Sequence, residues 1–531
     1  MGLLGGHQPG LRVILIFLLA NALAAAQTSV TTYHYDNYRT GWNQSETKLT
    51  PANVVPGKFG LLGTVSLDDQ VDAQPLVVPG VNITTGSHQG VHDVVYVVTE
   101  NNTVYAIDAN KGTVLLTQNL GKPVSEPLGC NNNGPNVGIT STPVIDPSSS
   151  TLYVMAYTQD SGGPTYRIHA LDLGSLSDKI TAQVVTASHT LTNGTKFTFN
   201  ATYQRQRPAL LLANGNVYAG FGSFCDSRAD VSRGWLLGWN ASTLAPLSAN
   251  QVLDTQATSP DDFFLSAIWM SGYGLAADDS GDILFVTGNS DYSGTTYDGV
   301  SNIQESVVKV SPDLSSVLDL FTPKNQAYLD EVDGDFGAGG VLVLPDQSGA
   351  NPHLAVAAGK AGAMFLMNED HLGGYSTVKN NVYGSYGIGP CWCGQSYYVD
   401  SDGTSRVVSS GGNRVKVWTL QTSPTPALTS VTSSPFITNG QSGGFFTSIS
   451  SNGTNASIIW ALGRPASASA NTIFLYAFNP DTGGTTMTEL FRSAAGNWPN
   501  FNGDSNLVPI VANGKVYVAT NKALKVFGLK K

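Results

Sequence analysis

The chain has 531 residues, of which 58 are glycine and 12% are charged, and it carries a formal net charge of −11. That acidity leaves no electrostatic footprint for nucleic acid or for anionic lipid, which excludes both as expected partners. Sparse charge and abundant glycine suit many short strands joined by tight turns, so an all-β protein is expected.

At the N-terminus, Arg12 precedes an apolar run from Val13 to Leu19 and the small residues Ala24, Ala25 and Ala26, the layout of a secretory leader cleaved after Ala26. Residues 1–26 are therefore read as a signal peptide and 27–531 as one secreted body. No later run approaches the roughly 20 apolar residues that cross a bilayer. Eight N-x-S/T sequons, at Asn43, Asn82, Asn101, Asn193, Asn200, Asn240, Asn452 and Asn455, predict a glycoprotein.

Next along the chain, residues 58–65 form an isolated strand pattern, and then one unit repeats eight times. Its middle strands are predicted at 93–99, 151–157, 216–222, 282–288, 353–359, 406–412, 457–463 and 515–521, each a short β-branched or aromatic run ended by a small or polar residue. The strand after each closes at Asp108, Asp172, Asn240, Ser311, Asn368, Thr419, Asn479 and Gly528, 49 to 71 residues apart. The strand before each is expected at 74–78, 142–145, 207–210, 274–276, 340–343, 396–399, 447–449 and 508–511. Such spacing predicts an eight-bladed β-propeller of four-stranded antiparallel blades. The last unit ends too early for an outer strand, so the N-terminal strand at 58–65 should complete it and close the ring. The nearest helical candidate, 263–270, fits an extended strand equally well.

Four cysteines in an exported chain should be oxidised. Of three pairings, Cys130 with Cys225, both in loops of adjacent units, and Cys391 with Cys393, a small ring around Trp392, are favoured. The seven histidines from His34 to His371 show no metal-ligand spacing and no serine or cysteine partner, so neither a hydrolase triad nor a phosphate-binding loop is predicted.

Two turns carry a family resemblance. Ala106-x-Asp108 with Gly112, and Ala477-x-Asn479 with Thr482 and Gly483, match the docking repeat A-x-D-x-x-T-G-x-x-x-W of pyrroloquinoline quinone (PQQ) dehydrogenases, with Leu116 and Met487 in place of tryptophan and Lys111 in place of threonine. The chain resembles a divergent, secreted member of that propeller superfamily. The turns themselves have an architectural reason: aspartate or asparagine bonds its own backbone, and glycine supplies positive φ.

The resemblance implies PQQ over the channel, a tryptophan beneath it, arginine on its carboxylates, calcium on acidic and amide oxygens, and an aspartate base. Candidates at the starts of inner strands are Gln206, Arg207, Trp269, Trp392, Gln395, Asp504 and Asn506 for the cofactor. Asp333 and Asp335 are candidates for metal and base, since with Asp330 and Glu331 they put four carboxylates within six residues. A solvated acidic loop is the other reading of that cluster, because the calcium-loop spacing is not met. The family covers the quinone with a ring of two adjacent cysteines, a pair this chain does not have; the Cys391–Cys393 ring is either a structural staple at the channel mouth or a substitute for that ring. No C-x-x-C-H is present, so no covalent haem c is expected and electrons would leave through a separate acceptor. Two functions follow: a dehydrogenase acting on an alcohol or sugar, or a non-catalytic propeller binding a glycan, peptide or protein partner.

Overall fold

The computed structural model describes residues 1–2, 27–130, 134–225, 232–256, 266–290, 296–481 and 483–531. The expected leader cleavage site, residues 263–265 of the 263–270 segment and Thr482 lie outside these.

Eight antiparallel sheets follow one another around a ring, as the repeat predicts. Blade 1 comprises Leu76–Ile83, Gly90–Val98, Thr103–Asp108 and Val114–Asn119. Blade 2 is Val144–Asp146, Thr151–Asp160, Gly163–Asp172 and Asp178–Val184. In blade 3, Gln204–Gln206 and Leu211–Ala213 both pair with Asn216–Ser223, followed by Trp235–Asn240 and Gln251–Val252. The inner strand expected at 207–210 is thus a break between two shorter strands. Pro208 has no N–H to give to a ladder, and its carbonyl is taken by the Gln206 side chain at 2.6 Å. Blades 4 to 7 begin with the inner strands Ala276–Ala277, Val341–Val343, Ser396–Val399 and Thr447–Asn452.

Blade 8 is Ile510–Ala512, Lys515–Thr520 and Ala523–Leu529, with Phe59–Ser66 paired antiparallel to the last of these. The ring is closed by the N-terminal strand, which leaves no open edge at the join. Both docking turns are architectural: Asp108 accepts the N–H groups of Asn110 and Lys111 at 2.8 Å each, and Gly112 and Gly483 have φ of 71° and 64°.

Residues 28–46 form a feature the repeat did not disclose. They wind across one end of the channel and touch the inner part of every blade in turn. Val30 pairs with Val77, the Thr31 carbonyl accepts from Ile145, and Asn37 bonds both Leu212 and Ala277. Tyr38, Thr40 and Gly41 accept from Val343, Tyr397 and Ile449, and Asn43 donates to Val511.

At the centre of this plug Arg39 is fully buried and donates to Leu275 O, Thr32 Oγ1, Tyr33 O and Asp36 O at 2.7, 2.7, 2.8 and 3.0 Å. Gly274 lets the guanidinium lie there, since a Cβ at that position would come 2.6 Å from Arg39 Nε. Beside it the buried rings of Tyr33 and His34 stack at 4.5 Å, edge-on to Tyr273. Asn43, a predicted glycan acceptor, is buried here with its amide engaged, so the folded protein withholds it.

Candidate functional site

The starts of the inner strands and the turns after the middle strands share the end of the channel opposite the plug. Between them lies a cavity of about 380 Å3. Blades 3 and 4 contribute Arg205, Arg207, Ser223, Cys225 and Trp269; blade 5 contributes Asp333, Asp335 and Lys360; the remaining wall is Trp392, Ser442, Asn502 and Asp504.

The break in the blade 3 inner strand places Arg207 at the cavity. Its guanidinium carbon stands 5.8 Å over the Trp269 ring, and among the described residues it has no hydrogen-bond partner. Burial lowers its pKa, opposed by Asp72, Asp504 and Glu100, so it stays charged. Glu100, buried, and Asp72, half-buried, stand on this side, and desolvation pushes the pKa of each up. A cation that is desolvated and lacks a direct acceptor is completed by an anionic ligand.

On blade 5, Lys360 Nζ lies 2.5 Å from Asp333 Oδ2 and 3.7 Å from Asp335 Oδ2, and 5.4 Å over the Trp392 ring. Asp335 is 2% exposed and accepts the Asn289 N–H at 3.1 Å. Burial raises its pKa to about 6, Lys360 holds it down and Asp333 pushes it further up. Behind it, Glu305 is fully buried, takes the Phe336 N–H, and is raised by burial and by Asp335. The acidic stretch is thus divided: Asp330 and Asp335 are buried, whereas Glu331 and Asp333 are exposed to solvent. Asp330 lies in the last turn of the helix Gln326–Glu331 and accepts from Gln304 and Gln326.

The expected metal site does not assemble. Among the described residues no group of three or more His, Cys, Asp or Glu side chains is placed to hold an ion. The carboxylates assigned to calcium, Asp333 and Asp335, are bridged by the Lys360 ammonium, which supplies the local positive charge.

Of the remaining candidates, Trp269, Trp392 and Asp504 line the cavity, whereas Gln206, Gln395 and Asn506 stand behind it. Gln206 and Gln395 are buried, the latter 3.8 Å from Cys391 Sγ. Asn506 serves Arg464, a residue sequence reasoning missed. The guanidinium of Arg464 donates to Ser442 O, Trp392 O and Asn506 Oδ1 at 2.6, 2.7 and 2.6 Å and pairs with Asp504 at 3.5 Å. Both disulfides form as favoured, with Cα–Cα distances of 5.5 Å for Cys130–Cys225 and 4.8 Å for Cys391–Cys393. Cys225 reaches the cavity rim. Arg205, Lys360 and Arg464 had legible signals: Arg205 is two residues from Arg207, on the same strand face, and Lys360 and Arg464 each follow the glycine ending a middle strand.

No family model and no curated protein matches the chain. Solved structures do. A quinohemoprotein alcohol dehydrogenase from Pseudomonas putida HK5 aligns over 94% of this chain and 80% of its own, at 12% identity and a TM-score of 0.59. A europium-containing methanol dehydrogenase aligns over 94% of this chain and 98% of its own, at 11% identity and a TM-score of 0.60. At these identities the likeness is one of fold: the chain is an eight-bladed β-propeller, the architecture it shares with these two dehydrogenases. BamB from Moraxella catarrhalis also matches, at 12% identity and a TM-score of 0.44 over 89% of this chain and 98% of its own.

Proposed function

We propose that the cavity is a quinone site and that the chain is a secreted quinoprotein-like oxidoreductase acting on an alcohol or sugar CH–OH group. The observation that carries this reading is Arg207, an unpartnered guanidinium stacked on Trp269 at the cavity wall. With Arg205 beside it, it would take the carboxylates of a flat polycarboxylate such as PQQ in bidentate fashion, while Trp269 offers its ring face. Bound there, PQQ would supply the two-electron oxidant. Asp335, with a pKa of about 6, would accept the substrate hydroxyl proton at neutral pH, and the Lys360 ammonium would hold that carboxylate in place. Electrons would then pass to a separate acceptor. No divalent ion enters this reading, because the carboxylates assigned to one are bridged by Lys360.

The test is to mix the protein with PQQ, with and without calcium, desalt it, and follow retained quinone absorbance and dye reduction with a panel of alcohols and sugars. Near-stoichiometric retention, lost in Arg207→Ala, and turnover lost in Asp335→Asn are expected. Absence of retention would refute the quinone site. Retention without turnover would favour the second reading, a non-catalytic binding propeller, which the Lys360–Asp333 ion pair supports because it ties up one carboxylate of the centre. The same reading has the leader removed after Ala26 and glycans at Asn82, Asn101, Asn193, Asn200, Asn240, Asn452 and Asn455. A mass shift on enzymatic deglycosylation of the secreted protein checks it.

A further inference from the structure

We propose that the wall formed by Trp392, Ser442, Asn502 and Asp504 is a subsite for a polyhydroxylated ring, a sugar or a cyclic polyol. As a substrate subsite this rests on the oxidoreductase reading above; as a binding site it stands without it.

The chemistry of the wall differs from that of the Arg207 side. Asp504, whose Oδ1 accepts the Ser442 N–H at 3.3 Å and whose Oδ2 pairs with Arg464, keeps further lone pairs for hydroxyl donors, Asn502 offers a donor pair and an acceptor, and Ser442 offers a hydroxyl that does both, all beside the Trp392 indole, over which Lys360 Nζ stands at 5.4 Å. A sugar ring has the complementary surface: a rim of hydroxyls that both donate and accept, and a face of C–H groups that covers an aromatic ring. A small primary alcohol has one hydroxyl and would leave most of this wall unsatisfied, and polar groups left unpaired select against such a ligand. Asp504 is held in place by an ion pair with Arg464 at 3.5 Å.

The wall is also built rigid, which lowers the cost of ordering it around a ligand. Arg464 alone fixes the backbones of Trp392 and Ser442 and the side chain of Asp504, residues from three different inter-blade loops. The loop bearing Asn502 and Asp504 is held from below, since the Gly503 carbonyl accepts from Trp498 Nε1 at 2.7 Å and from Gln441 Nε2 at 2.8 Å. Gln441 Oε1 in turn takes the Ser505 N–H and hydroxyl at 3.1 and 2.9 Å. Trp392 is flanked on both sides by the cysteines of one disulfide.

The experiment uses the full chain without quinone. D-glucose, D-xylose, myo-inositol and 1-propanol are titrated while tryptophan fluorescence and saturation-transfer NMR are recorded. At least one of the ring compounds should saturate in the millimolar range, with 1-propanol at least tenfold weaker. Asn502→Ala, an exposed substitution that leaves the fold intact, should weaken the ring compound at least threefold, and Trp392→Leu at least tenfold. Failure of every ring compound to saturate, equal binding of 1-propanol, or wild-type affinity in both variants would overturn the subsite. PQQ retention, measured on the same preparation, reports separately: its loss with sugar binding intact sinks the quinone reading and leaves the subsite standing, and the reverse result does the opposite.

Discussion

Arg39→Met removes the centre of the plug, and the structure sets the size of the effect. The guanidinium is fully buried and gives short bonds to Leu275 O, Tyr33 O and Thr32 Oγ1 at 2.7 to 2.8 Å. Methionine fills comparable space but donates nothing, leaving those acceptors dry, and each such loss costs about 1–3 kcal/mol. Against this, the variant no longer buries a cation, whose desolvation costs several kcal/mol. The balance for removing one member of a buried charged network is typically about 3–5 kcal/mol. With an unfolding entropy of about 2.1 cal/mol/K per residue, a body of roughly 500 residues has about 1 kcal/mol/K, so Tm should fall by about 3–5 °C. Because residues 28–46 bond to all eight blades, calorimetry should show one lowered transition. A fall of less than about 1 °C, or a transition that splits with one part unmoved, would refute the reasoning that the plug ties the ring together.

Burial pushes His34 down to about 3 from its ordinary 6.5, so the unfolded chain takes a proton that the folded chain refuses; stability should drop as pH falls below 6.5 by up to about 1.4 kcal/mol per pH unit. Urea unfolding at pH 7, 6, 5 and 4 should show that slope reduced by about one proton in His34→Gln. Asp335 works in the opposite sense, its pKa raised to about 6: the stability it contributes at low pH is lost as pH rises through 6, so Asp335→Asn should have a higher Tm than wild type at pH 7. If Asp335 is the base, kcat should rise through pH 6 and level off above it. Lys360→Met removes the cation that holds Asp335 down, so the rising limb of that profile should move to higher pH; an unmoved limb would assign the titration to another group.

How much of this was legible depends on whether the information is local. Middle strands such as Gly90–Val98 and Lys515–Thr520 were readable because alternation and β-branching within one run decide them. The closing role of Phe59–Ser66 followed from counting strands. The site was legible in part for the same reason: residues at the starts of inner strands must face the channel mouth, which found Arg207, Trp269, Asp335 and Trp392. The same rule overreached at Gln206, between Arg205 and Arg207, where one residue of displacement turns a side chain from the cavity to the protein behind it, and at Asn506, whose amide is taken by Arg464. The metal assignment failed because four carboxylates close in sequence say nothing of a lysine 27 residues further on, in another turn of the same blade.

The plug was hidden for a deeper reason. Its partners are carbonyl and amide groups of eight separated blades, so no pattern within residues 28–46 announces them, and the segment follows the ring through turns at His34, Tyr35, Arg39 and Gly41, all at positive φ. What fixes this segment there is Arg39, which meets acceptors from its own loop and from Leu275. The segment fills the end of the channel opposite the cavity. On the oxidoreductase reading proposed above, substrate, product and electron acceptor would share the mouth between Arg207 and Asp504, and an acceptor that docks over it should compete with substrate. Dye-reduction kinetics would show this as inhibition by excess acceptor, relieved by raising the substrate concentration.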